Sequence, residues 1–216
     1  MKKRVILFGG AFDPIHIGHI SVANIISNIW ITTSICDELW FLPSISNAFV
    51  GIDLSTTRKL ADIRHRINMI SITINNTINK KLKICVHEAE SKNKACVYSV
   101  VKSIIKKYPE NDFSYLIGND QAISIRSWRN SRHLLKTIPF IIVSRAYFGG
   151  ENTPEWTMCD PHTFVQMPDS IPIIKSSIVR DRIRKNKSIV FDDGDPMLPD
   201  HVFDYISKHE LYKGGL

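Results

Sequence analysis

The chain has 216 residues, 44% of them hydrophobic and 23% charged, which suits one α/β domain and excludes extensive disorder. No apolar run approaches the roughly 20 residues of a membrane helix, and the short run 5–8 behind Lys2, Lys3 and Arg4 is too brief for an export signal. A net charge of +7 calls for an anionic partner, and the scattered basic residues form no nucleic-acid-binding block, so nucleotide phosphates serve that role as well as nucleic acid.

In chain order, the run 5–8 reads as a buried strand stopped by Gly9-Gly10, and a helix is predicted over 17–29. A second strand spans 38–42 and ends at Pro43; the stretch 44–57 reads as a loop. Ile63, Ile67, Ile70 and Ile74 recur at helical spacing. Then come a strand over 82–86, a helix over 97–107, a strand over 113–117, a helix over 129–136 and a strand over 140–143. Residues 146–162, with Gly149, Gly150, Pro154 and Pro161, read as a surface excursion. A sixth strand over 163–166 and helices over 176–185 and 199–209 complete the pattern. Alternation of strands and helices predicts a mostly parallel, doubly wound sheet in a single domain over 1–216, with a helical part from about 170 onward.

Four dispersed cysteines, Cys36, Cys85, Cys96 and Cys159, form no Cys-x-x-Cys pair, which fits reduced thiols and a cytoplasmic setting. Cys159 and His162 lie in a proline-containing loop, and no metal site is expected in the protein.

Chemistry concentrates in Gly9-Gly10-Ala11-Phe12-Asp13-Pro14-Ile15-His16-Ile17-Gly18-His19. The glycines let backbone approach an anion, and the helix behind them presents unpaired N–H groups. His16 and His19, three apart, point the same way from one helical turn, and Gly18 leaves room for a ligand. Asp13 either fixes the glycine loop or contacts a ligand. Near the other end stands Ile174-Lys175-Ser176-Ser177-Ile178-Val179-Arg180, where hydroxyls at a helix start can cap the helix or meet phosphate, and a guanidinium follows one turn on. A third cluster is Gly118-Asn119-Asp120 with Trp128 eight residues beyond Asp120; that indole serves equally as a stacking face or as core.

The stretch from Gly9 to His19 resembles the His-x-Gly-His signature of the nucleotidyltransferase superfamily, shared with class I aminoacyl-tRNA synthetases. The second motif is similar to the Ile-Ser-Ser-Thr-x-Ile-Arg motif of adenylyltransferases, with Lys175 in place of the first serine. The Gly-x-Asp pair with its tryptophan, and the ending from Leu198 to Tyr212, resemble the nicotinate/nicotinamide mononucleotide adenylyltransferases in particular. Arg66 and Met69 match an Arg-x-x-Met helix of that family. Ser46-Asn47-Ala48-Phe49 departs from its acceptor loops, and Ala95-Cys96-Val97 stands where it carries Ser-Tyr-Thr beside the pyridine.

This resemblance implies a Rossmann-like fold and transfer of AMP from ATP to a pyridine mononucleotide, in NAD biosynthesis, with Mg2+ accompanying the ATP. It places His16, His19 and Arg180 in catalysis. Gly9, Gly10, Ala11, Phe12, Gly18, Gly118, Asp120, Lys175, Ser176 and Ser177 fall to ATP, and Asn47, Trp128 and Arg145 to the acceptor. Neither nucleic acid nor membrane is expected as a partner, and a homo-oligomer is compatible with the sequence. Three alternatives stand beside it: another phosphorylated acceptor, a fragment of a tRNA synthetase, and a nucleotide-binding protein without turnover.

Overall fold

The computed structural model describes residues 1–29, 36–45, 60–87, 96–144 and 153–214. Six strands form one sheet: β1 (Lys3–Gly10), β2 (Glu38–Pro43), β3 (Leu82–Ile84), β4 (Asn111–Gly118), β5 (Phe140–Ser144) and β6 (Thr163–Gln166). Their order is β3-β2-β1-β4-β5-β6, and every pairing is parallel. The sheet is thus wholly parallel, with the strand order of doubly wound dinucleotide-binding folds.

Along β1 the side chains alternate between two cores. Ile6 and Phe8 join a layer built with Ala23 and Ile26 of α1 (Ile17–Ile29), Met69 and Ile70 of α2 (Ile63–Asn75), Val179 of α6 (Ser176–Arg184) and Val202 of α7 (Asp200–Lys208). Val5 and Leu7 face the other layer, with Val100 and Ile104 of α3 (Val97–Lys107) and Leu134 of α5 (Ser131–Thr137). Both faces of the strand are dry, which is why its sequence is a continuous apolar run rather than an alternation. Burial of such side chains stabilises by about 1.5–3 kcal/mol each.

Three local departures from the sequence expectation bear on the site's surroundings. Strand β3 stops at Ile84 rather than residue 86. A short helix, α4 (Asn119–Ser124), follows β4 directly and runs into a 3-10 turn, Ile125–Ser127. The next helix then begins at Ser131 rather than 129, because Asn130 takes a left-handed conformation with φ 62°, which asparagine tolerates better than most residues. Among the described residues no helix is long and apolar enough to cross a membrane.

Candidate functional site

The strand order reverses between β1 and β4, so the carboxyl ends of these neighbours open a crevice. A cleft of about 350 Å³ occupies it. Its walls bring together nine of the expected site residues: Gly9, Gly10, Ala11, His16, Gly18, His19, Gly118, Asp120 and Lys175.

Space is tight at two of the glycines. A Cβ on Gly9 would overlap the hydroxyl of Tyr115 on β4, and one on Gly118 would lie 2.5 Å from Asp120 Oδ1. Phe12 does not line the cleft. At φ 47° it turns its ring beneath the loop, 1% exposed, edge-on to Phe8 and Phe41 and 5.0 Å from the His19 ring. Its ring is a floor beneath the loop, beside His19.

His16 and His19 form a stacked pair, with ring centroids 3.7 Å apart and planes inclined by 22°. The backbone N–H of His16 donates to His19 Nδ1 at 3.3 Å, and that of His19 donates to His16 Nδ1 at 3.4 Å. With Nδ1 accepting, a neutral ring carries its proton on Nε2. Each imidazole is therefore set as a donor, the role an anion requires.

The second motif meets the first. A Cβ on Gly18 would come 2.9 Å from Ile174 Cγ2, so α1 and the segment before α6 touch at this glycine. Ser176 is the first residue of α6, and Lys175 occupies the cap position. The Ser176 hydroxyl does not cap the helix; it donates to the Pro14 carbonyl at 3.0 Å and ties the motifs together. Lys175 lines the cleft, whereas Ser177 is exposed around a separate shallow depression with Asp181, Arg182 and Lys187.

Arg180 approaches the same loop from behind. It is 7% exposed and is not among the cleft-lining residues; its Nη1 donates to the Asp13 carbonyl and lies 3.8 Å from Asp13 Oδ2. Trp128 packs in the core with Leu134 and Ile138 and is likewise absent from the cleft wall. Asn47 and Arg145 lie outside the described residues.

Sequence reasoning left two groups unassigned. Arg66, fully buried, donates through Nη1 to Ala11 O and Ser44 O, both at 2.7 Å, and through Nε to Ala61 O at 2.9 Å. It thereby pins the loops after β1 and β2 to the start of α2; each buried carbonyl left unpaired would cost about 1–3 kcal/mol. The other group is the apolar wall formed by Ile123, Met167, Ile171 and Ile173. Ile123 and Ile173 are 51% and 46% exposed although they border a cleft, an apolar surface open to a flat ring. The signal available in sequence was position: residues 167–173 follow β6 at the carboxyl end of the sheet.

A glycine loop, paired donors and a lysine converging at the switch point of a parallel sheet define a nucleotide-binding enzyme of the nucleotidyltransferase class. The chain belongs to the cytidylyltransferase-like family, whose model matches residues 7–182. It is 30% identical to the probable nicotinate-nucleotide adenylyltransferase of Bacillus pumilus, over 98% of this chain and 99% of that relative. Among solved structures it is similar to the Plasmodium falciparum nicotinic acid mononucleotide adenylyltransferase complexed with NaAD, with TM-score 0.79, 26% identity and 97% of each chain covered. The same enzyme complexed with APC superposes with TM-score 0.78 over the same share of both chains.

Proposed function

We propose that the chain transfers the adenylyl group of ATP to nicotinate mononucleotide, giving deamido-NAD and pyrophosphate, in NAD biosynthesis in the cytoplasm. The observation that carries this reading is the junction of the two motifs. Ser176 bonded to Pro14, with Ile174 against Gly18, brings Lys175 and the imidazole pair to one cleft.

The acceptor's phosphate is anionic at neutral pH, its second pKa being about 6. One of its oxygens attacks the α-phosphorus of ATP, and the bond from that phosphorus to the oxygen linking it to the β-phosphorus breaks, that oxygen leaving with pyrophosphate. No general base and no covalent enzyme intermediate are needed. The chain's work is alignment of two anions and stabilisation of charge on the departing group. His16 and His19 donate to the phosphates through Nε2–H, and the loop Gly9 to Ala11 brings backbone against them. Lys175 supplies the cation facing the cleft, while Arg180, held on Asp13, adds its positive field from behind the loop. Ile123 and Ile173 cover the adenine, and Asp120 accepts from a ribose hydroxyl. Mg2+ enters with ATP as part of the substrate; among the described residues no group of three or more His, Cys, Asp or Glu side chains is placed to hold a metal.

Pyrophosphate release from ATP, measured separately with nicotinate mononucleotide, nicotinamide mononucleotide and phosphopantetheine, tests the reading. The highest kcat/KM is expected with the nicotinate form. Release with phosphopantetheine alone, or with none of the three, would overturn it.

A further inference from the structure

Asp13 is the one buried carboxylate among the described residues, 1% exposed, and it stands three positions before His16. Its Oδ1 accepts from two directions: the Tyr212 hydroxyl at 2.8 Å and the Ala61 backbone N–H at 3.2 Å. The Arg180 guanidinium lies 3.8 Å from Oδ2 and donates to the carbonyl of the same residue. The side chain that fixes the phosphate loop is thus itself held by α6, by the residue before α2's cap, and by a tyrosine 199 positions away.

Tyr212 is built for this contact. Its ring packs against the core layer shared by α1, α2 and α7, and its backbone is left-handed at φ 66°. That conformation is costly for an aromatic residue and persists only where the surroundings impose it. Burial, followed by the negative charge of Asp13 and the hydrogen bond to it, pushes the phenol well above its ordinary value. These effects favour the protonated phenol, which is the form that donates to Asp13.

We propose that Tyr212 is a positioning residue for adenylyl transfer: its hydroxyl holds the Asp13 carboxylate, and through it the loop presenting His16 and His19, in the geometry that meets the transferring phosphates. The proposal rests on the adenylyl-transfer reading above. A tether of this kind acts on the transition state more than on substrate binding, because small misplacements of catalytic donors are felt most where charge is developing.

The test compares Tyr212→Phe, which deletes only the hydroxyl, with Tyr205→Phe. The Tyr205 hydroxyl bonds His65 and Asn68, away from the phosphate loop. With ATP and nicotinate mononucleotide, Tyr212→Phe is expected to lower kcat by about tenfold or more, the size of one hydrogen bond to a charged group. Both KM values stay within about twofold and Tm within a few degrees. Amide hydrogen exchange over residues 9–19 quickens by about tenfold. Tyr205→Phe alters neither kcat nor that exchange.

Wild-type kcat in Tyr212→Phe, or a loss lying wholly in KM, overturns the proposal. So does a Tyr212→Phe chain that fails to fold, since the hydroxyl would then belong to the fold rather than to the site. If the unaltered chain releases no pyrophosphate, the adenylyl-transfer reading fails. The exchange measurement still judges the tether in that case: unchanged protection over 9–19 rejects it.

Discussion

His16 and His19 each accept the other's backbone N–H at Nδ1 while their rings stack at 3.7 Å. The arrangement fixes orientation and tautomer together. Wherever these rings are neutral, nitrogen NMR of labelled histidine is expected to show the Nε2–H tautomer for both. His19→Ala is expected to lower kcat about 10²- to 10³-fold, the usual effect of removing one preorganised donor, with an unchanged circular dichroism spectrum. Near-normal turnover in that variant, or an Nδ1–H form in the parent, contradicts the phosphate role.

Gly18 and Ile174 report on the joint between the motifs. Gly18→Ala would place a methyl 2.9 Å from Ile174 Cγ2 and 3.3 Å from the His16 ring, so kcat should fall by at least about tenfold. Ile174→Ala alone empties a buried site and costs about 2–5 kcal/mol of stability. In the double variant the new methyl has room, and activity should recover above that of Gly18→Ala. Strict additivity of the two losses would mean that this contact does not set the site.

Thiol reactivity separates the cysteines. Burial pushes the Cys36 thiol up to about 11, and Cys85 is also buried. Partial burial raises the Cys96 thiol, but hydrogen bonds from Ser99 and Asn130 and the charge of Arg129 outweigh it and leave the value lowered. At pH 8 an alkylating reagent should label Cys96 and exposed Cys159 first, and Cys36 and Cys85 only on unfolding. Cys96 stands where the resembled family carries its pyridine-side segment. Nicotinate mononucleotide should therefore slow labelling of Cys96 and leave Cys159 unaffected; equal rates with and without it place the acceptor elsewhere.

Asp62 caps α2, its Oδ1 accepting from the Arg64 N–H at 2.8 Å. That bond, with the Arg64 side chain, holds its carboxyl below the ordinary carboxylate value. A depressed folded pKa means that the contribution is present above the unfolded value of about 4 and is lost as pH falls through the folded one. Asp62→Ala should cost about 1 kcal/mol at pH 7, most of it the cap, because the exposed ion pair adds little. The gap from wild type in urea melts should close as pH drops below about 4. A gap constant with pH would mean that the charge is not involved.

Arg66→Ala withdraws donors from three carbonyls, the buried one of Ser44 and the partly buried ones of Ala11 and Ala61. A loss of about 3 kcal/mol or more in denaturant stability is expected, together with a fall in kcat. A variant with unchanged stability would show that water takes over these carbonyls.

Strands β1, β2, β4 and β5 were legible because each holds a short apolar run bounded by a breaker, whereas β3, Leu-Lys-Ile, and β6, Thr-Phe-Val-Gln, are mixed and only partly buried; Ile63, Ile67, Ile70 and Ile74 marked α2 by spacing alone. Helix α4 was not legible: Asn119–Ser124 is short, polar and carries no period. The phosphate loop could be read because glycines and histidines stand within eleven residues, where local rules apply. The burial of Phe12 was not legible because it depends on aromatic rings distant in the chain, nor was the bond of Arg180, whose partner is a carbonyl 167 positions earlier. Ser176 misled for the same reason: a serine at a helix start looks like a cap, and only the neighbouring Pro14 carbonyl turns it into a crosslink.

The link from Tyr212 to Asp13 also imposes an order on biosynthesis. Asp13 is made 199 residues before its hydroxyl partner and must wait for it. A nascent chain halted before that tyrosine emerges could already pair its sheet while the histidine loop lacked one of its restraints. Competence to handle nucleotide would then wait on that tyrosine.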